Sequence, residues 1–147
     1  MPGLPQMLYD ERLVSPMRQE LTRIGFQELR TPDEVDSTLR NAQGTTLVVV
    51  NSICGCAARN ARPAVAMALK EATTKPDRLT TVFAGQDVDA TKQARSYFTG
   101  YPPSSPQIGL LKDGKLVFML ERWQIEGRVA PDIAKDLETA FAEHCAR

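Results

Sequence analysis

The stretch that most restricts the fold is "TTLVVV", residues 45–50, six β-branched or apolar residues with no charge among them. A strand with one wet face alternates polar and apolar residues. An unbroken apolar run instead suits a strand covered on both sides, in a sheet with parallel neighbours and helices over each face. "LTTVFAG" (79–85) is a second strand of this kind. Between the two, Ala57–Thr73 carries alanines, Val65, Met67 and Leu69 in a helical stretch with Pro63 near its start, and "DVDATKQARSYFTG" follows as another helix, with an aspartate near its beginning and Gly100 at its end. Strand, helix, strand, helix is βαβ grammar, so the expected class is α/β, a central mixed β-sheet flanked by α-helices.

The flanks complete this outline. In "SPMRQELTRIG" Ser15 can cap a helix with Pro16 at its first position and Gly25 as its stop. "TPDEVDSTLRNAQG" has Thr31 as cap, Pro32 next, Glu34 closing a capping box and Gly44 as the end, and "FQEL" between the two helices suits a short strand. "QIGLLKDGKLVFML" reads as a hairpin turning at Asp-Gly, and "PDIAKDLETAFAEHC" as a last helix with Ile133, Leu137, Phe141 and Cys145 four residues apart. A chain of 147 residues without repeat or long linker is expected to form a single domain over 1–147.

Eighteen basic and eighteen acidic residues are interspersed, so no basic face points to nucleic acid or an anionic membrane. No apolar run reaches the ~18 residues of a membrane span, and the start "MPGLPQMLYDER" lacks the pattern of a secretion signal. A cytoplasmic protein is the expectation. In that reducing compartment three cysteines do not make a structural disulfide framework.

Two of those cysteines sit one glycine apart in "NSICGCAARNARPA", where the first buried strand hands over to the helix. The start of a helix offers free backbone N–H groups and a partial positive charge, and both favour a thiolate over a thiol. Cys54, nearest the strand, is the better placed nucleophile. A Cys54–Cys56 disulfide would need irregular backbone at Gly55, and such a small strained ring suits a transient redox state better than a structural link. Two other readings stand beside redox chemistry. Both cysteines could be small apolar residues at a tight junction. They could also be half of a metal or iron-sulfur site, for which His144 and Cys145 are the remaining soft ligands; the redox reading assigns no metal ligands.

A second feature is Pro106 in "SSPQIGLLKDG". A proline opening a hairpin strand opposite a strand-to-helix cysteine motif is the arrangement of thioredoxin-like folds, where a cis-proline faces the reactive cysteine. The run Pro106, Gln107, apolar residues and "KDG" resembles that pattern, so a cis Ser105–Pro106 bond is expected.

With both features in view, the chain resembles the bacilliredoxins, thioredoxin-like proteins with a Cys-x-Cys motif. "PMRQELTRIGF", "TTLVVVNSICGCAA", "ARPA", "TVFAGQD", "YFTG", "SSPQ", "IEG" and the late "HC" carry the resemblance nearly end to end. It implies a thioredoxin-like fold and a thiol-disulfide oxidoreductase that removes bacillithiol, a low-molecular-weight thiol, from protein mixed disulfides. Cys54 would attack and receive the bacillithiol, and Cys56 would resolve the adduct or tune Cys54. No bound cofactor is implied: bacillithiol is a thiol co-substrate, bacillithiolated proteins are the clients, and a flavin-dependent reductase is a candidate partner. Weak disulfide isomerase activity is also implied. A general dithiol oxidoreductase without bacillithiol preference is the alternative.

Around this core, Asn51, Ser52, Gly55 and Ser105 are candidate substrate-binding residues, with Asn51 and Ser52 placed to bond either the turn or the thiolate. Arg59 and Arg62 could hold the carboxylates of bacillithiol, or could simply lie on a solvated helix face. Trp123 is expected in the core, and Cys145, by its helical register, as a packed thiol rather than a third redox partner.

Overall fold

The computed structural model describes residues 8–146. In chain order the elements are α1 (Glu11–Thr22), β1 (Gln27–Glu28), α2 (Pro32–Leu39), β2 (Thr45–Asn51), a π-helical turn (Ala57–Ala61) running into α3 (Arg62–Glu71), β3 (Arg78–Phe83), α4 (Val88–Arg95), β4 (Gln107–Lys112), β5 (Lys115–Leu120), α5 (Arg122–Ile125) and α6 (Ala130–His144). The strands form one mixed sheet in the order β1-β3-β2-β4-β5. β1, β3 and β2 run parallel, while β4 pairs antiparallel with both β2 and β5.

β2 lies at the centre of this sheet, and all seven of its residues are buried. Successive side chains of a strand point to opposite faces, and here both faces are apolar. Leu47 and Val49 join Leu21, Val65, Ile133, Leu137 and Phe141 in the layer under α1, α3 and α6. Val48 and Val50 join Val35, Leu39, Ala90, Ala94 and Phe98 in the layer under α2 and α4. This double burial is why "TTLVVV" shows no alternation. On the α4 side Phe98 lies so close to β4 that a Cβ added at Gly109 would be 2.7 Å from its ring, so only glycine lets that ring rest on the sheet. The β4–β5 turn places Asp113 (φ 52°) and Gly114 (φ 80°) in the left-handed conformation that two-residue hairpins with Asp-Gly adopt.

Helix boundaries differ from the sequence expectation most at α1, α2 and α4. α1 begins at Glu11 under an Asp10 cap, with Pro16 inside it rather than at its first position. The backbone bond lost at Pro16 is outweighed by the face that Val14, Arg18 and Leu21 bury. α2 keeps its Thr31–Glu34 capping box but ends at Leu39, not at Gly44, because the chain turns out through an extended Arg40 and a left-handed Asn41. α4 stops at Arg95, and the Asp87 side chain makes no cap bond. Its carboxylate instead takes the buried Arg18 guanidinium at 2.7 Å, beneath which the Phe83 ring lies 5.3 Å away. Among the described residues no helix is long and apolar enough to cross a membrane.

Candidate active site

β2 ends at Asn51, and the next five residues must turn the chain into the π turn that leads to α3. Asn51 organises that turn. Its Oδ1 accepts from the Ser52 N–H at 2.9 Å, and its Nδ2 donates to the Met17 carbonyl of α1. Arg62 locks the same turn from the helix side, donating from Nη1 to Asn51 Oδ1 and to the Ser52 carbonyl, both at 2.9 Å. Its Nε lies 3.2 Å from Glu20 Oε2, close enough for charge pairing but out of line for a hydrogen bond. Arg62 is therefore no part of a solvated helix face. At 3% exposure it is an internal brace, too deep to meet a substrate carboxylate.

The turn enters α3 through five π-helical residues, closed by the Arg62 N–H bonding the Ala57 carbonyl five residues back. Pro63 gives the physical reason: its ring would collide with the carbonyl of Arg59 in a regular helix, and a wider turn relieves that clash.

Cys54 is partly exposed at the start of this helix. The Ser52 hydroxyl lies 3.1 Å from its sulfur as a donor. Burial on its own would push the Cys54 thiol up, but the Ser52 hydroxyl, the backbone N–H groups of Ala57 and Cys56 and the Arg122 charge together hold it below the ordinary thiol value. Cys56 moves the opposite way. Burial, the neighbouring Cys54 thiolate and the Glu126 carboxylate push it up, against a weaker pull from Arg122. Two thiols one residue apart are thus unequal, with Cys54 the more acidic of the two.

The Ser105–Pro106 bond is cis, as the sequence pattern predicts. Ser105 and the buried Pro106 lead directly into β4, the antiparallel partner of β2. One side chain joins this loop to the cysteines. Arg122, at the start of α5, places Nη2 4.0 Å from Cys56 Sγ and Nη1 3.4 Å from the Ser105 carbonyl, while its backbone N–H meets Ser104 Oγ at 3.3 Å. Sequence reasoning passed over Arg122; it lies 66 residues from Cys56, in a four-residue helix with no pattern of its own. Arg59, by contrast, is exposed and covers Gly55, where an added Cβ would come within 2.7 Å of its Nη2.

Two other candidates are placed elsewhere. Trp123 is not in the core: it is 72% exposed beside Arg122, its indole N–H donating to Glu121. Cys145 is buried at 8% among Ile133, Leu137 and Phe141, where burial pushes its thiol up and a Thr45 hydrogen bond partly offsets it. Thr45 opens β2 and Cys54 lies past its end, so the length of that strand, about 20 Å, separates Cys145 and its neighbour His144 from the Cys54–Cys56 pair. Neither can join that pair around one metal.

The fold is shared with solved thioredoxins. The chain superimposes on Malassezia sympodialis thioredoxin with TM-score 0.54 at 12% identity, covering 83% of this chain and 92% of the other. For Fasciola hepatica thioredoxin the values are 0.51 and 18%, covering 81% and 99%. Fold and site together define a thioredoxin-fold thiol-disulfide oxidoreductase. The Disulphide isomerase family model matches residues 9–145. Bacilliredoxins of Koribacter versatilis (55% identity over 94% of each chain), Salinibacter ruber (54%, 95% of this chain and 82% of the relative) and Bacillus licheniformis (52%, 93% and 95%) are similar almost throughout. The chain belongs to the bacilliredoxin family.

Proposed function

We propose that this oxidoreductase removes bacillithiol from client proteins through the Cys54-Gly55-Cys56 motif. The observation that carries the reading is the asymmetry of the two thiols, because thiol-disulfide exchange needs a thiolate to attack and Cys54 alone has three neutral donors around its sulfur. The Cys54 thiolate attacks the bacillithiol sulfur of the mixed disulfide. A bond forms between them, the old S–S bond breaks, and the client sulfur leaves as a thiolate that takes a proton from water. Cys56 then loses its proton and attacks Cys54, so that bacillithiol departs as a thiolate, takes up a proton and leaves a Cys54–Cys56 disulfide, or a second free bacillithiol attacks the adduct instead and departs as the small disulfide. A flavin-dependent reductase would supply the two electrons that return whichever disulfide is formed to thiols.

The test is incubation of a bacillithiolated model protein with the wild type and with Cys54→Ser and Cys56→Ser, read by intact mass. Cys54→Ser is expected to leave the client modified. Cys56→Ser should free the client and retain one bacillithiol on Cys54, released by added thiol. An active Cys54→Ser protein would reassign the nucleophile. The Disulphide isomerase family match favours a second reading, general disulfide exchange without bacillithiol preference. Equal rates on bacillithiolated and other mixed disulfides would select it.

A further inference from the structure

Two guanidinium groups from different parts of the chain lie beside the cysteine motif. Arg59 lies over Gly55, between the two thiols in sequence, and among the described residues it makes no ion pair. Arg122 reaches Cys56 while holding the Ser105 carbonyl, and among the described residues it pairs with Glu126, at 3.2 Å. Both arginines are exposed, and Ser105, Cys54 and Cys56 between them are partly open to solvent. Arg62, the other basic residue near the motif, is occupied inside the turn. The cysteine pair thus has two exposed cations beside it, one from the π turn and one from α5, with the Glu126 carboxylate paired to the second.

A mixed disulfide offers two sulfurs to an attacking thiolate. Attack on the small-thiol sulfur frees the client, whereas attack on the client sulfur ties the client to the enzyme. The two attacks balance alike, one S–S bond formed and one broken with a thiolate leaving, so stoichiometry does not choose between them; the acidity of the leaving thiol and access to each sulfur do. Which sulfur meets Cys54 depends on how the mixed disulfide is held.

We propose that Arg59 and Arg122 form a carboxylate-reading rim that draws an anionic small thiol toward Cys54, so that the small-thiol sulfur rather than the client sulfur is attacked, with Glu126 moderating Arg122. This deepens the proposed function and rests on it. The recognised chemistry is a thiol carrying one or more carboxylates, held by charge-assisted hydrogen bonds.

The test uses one model protein bearing three mixed disulfides in turn, with mercaptopropionate (anionic), mercaptoethanol (neutral) and cysteamine (cationic). The rate of client release is measured for each. Release of the neutral adduct by the wild type checks the underlying reading, and its failure sinks both that reading and the rim. Given such release, the anionic-to-cationic rate ratio, divided by the same ratio for attack by free mercaptoethanol, tests the rim alone, because the division removes the intrinsic reactivity of each adduct and taking it within each variant cancels losses of folding or general activity. The wild-type ratio is expected to be roughly tenfold, since each exposed charge contact contributes a few-fold. It should fall toward one in the Arg59→Gln/Arg122→Gln double variant, recover in Arg59→Lys/Arg122→Lys, and rise in Glu126→Gln. It should also shrink at 1 M salt, where the screening length is only about 3 Å. A wild-type ratio near one, or a ratio that the double glutamine variant leaves unchanged, overturns the proposal.

Discussion

Arg59 and Arg62 stand three residues apart, yet replacing them should have opposite consequences, and Arg62→Ala is the sharper experiment. The substitution removes the two 2.9 Å bonds from Nη1, leaving Asn51 Oδ1 with only the Ser52 N–H and the Ser52 carbonyl without its charged donor. Hydrogen bonds from a charged group contribute about 1.5–3 kcal/mol each, and breaking a buried charged contact costs about 3–5 kcal/mol in total. Glu20, whose side chain is 45% exposed, can return to water and adds little. The expected loss is therefore about 3 kcal/mol. For a chain of this size each kcal/mol lowers Tm by ~2–4 °C, so thermal unfolding should shift down by roughly 6–12 °C. Arg59→Ala, which touches only the exposed side of Gly55, should stay within about 0.5 kcal/mol. Arg62→Lys should fall between, because a single ammonium cannot repeat the fork. Equal Tm values for the two alanine variants would refute the brace, whatever their activities.

Ser52→Ala removes the hydroxyl 3.1 Å from Cys54 Sγ, so the pH midpoint of Cys54 alkylation, which in the wild type should lie below that of free cysteine, should move up; an unmoved midpoint would assign the activation to the helix start and Arg122. Gly109→Ala should cost about 1–3 kcal/mol by denaturant unfolding, since its Cβ would press on the Phe98 ring at 2.7 Å; a neutral result would mean that the ring has somewhere to go. Cys145, pushed up by burial in the folded state, keeps its proton after the unfolded chain has lost it. Stability should therefore fall as pH rises from about 8.5 toward the folded value, and Cys145→Ala should flatten that fall in a pH series of unfolding curves. A decline of equal slope in both proteins would place its cause elsewhere.

How far the sequence could be read depended on whether the signal was local. The buried strands, the Thr31 capping box, the Asp-Gly hairpin and the cis Ser105–Pro106 bond are written in neighbouring residues or in short spacings, and the structure repeats them. What sequence reasoning missed depends on contacts between distant segments. Pro16 looks like a helix start until the buried face of α1 is seen to run through it. Arg59 and Arg62 are alike as letters, and only the approach of Asn51 and Ser52 to one of them separates brace from rim. Asn51 and Ser52 themselves divide the two tasks left open, one bonding the turn and the other the thiol. Arg122 and Trp123 belong to a turn of helix too short to show periodicity, so their positions follow from where β5 delivers the chain.

The five-residue π turn between the cysteines and α3 fixes their bearing by counting. In a regular helix each residue advances about 100° around the axis. Were one residue removed from Ala57–Ala61 and the turn tightened to the ordinary pitch, α3 could keep Ala64, Val65 and Ala68 against the sheet, but Gly55 and Cys56 would swing about a quarter-turn relative to them. The thiols would then face a different part of the surface from the Ser105 carbonyl. Chain length at this one place thus acts as an angular setting for the dithiol, and Pro63, which disfavours the tighter pitch, holds that setting from within the helix.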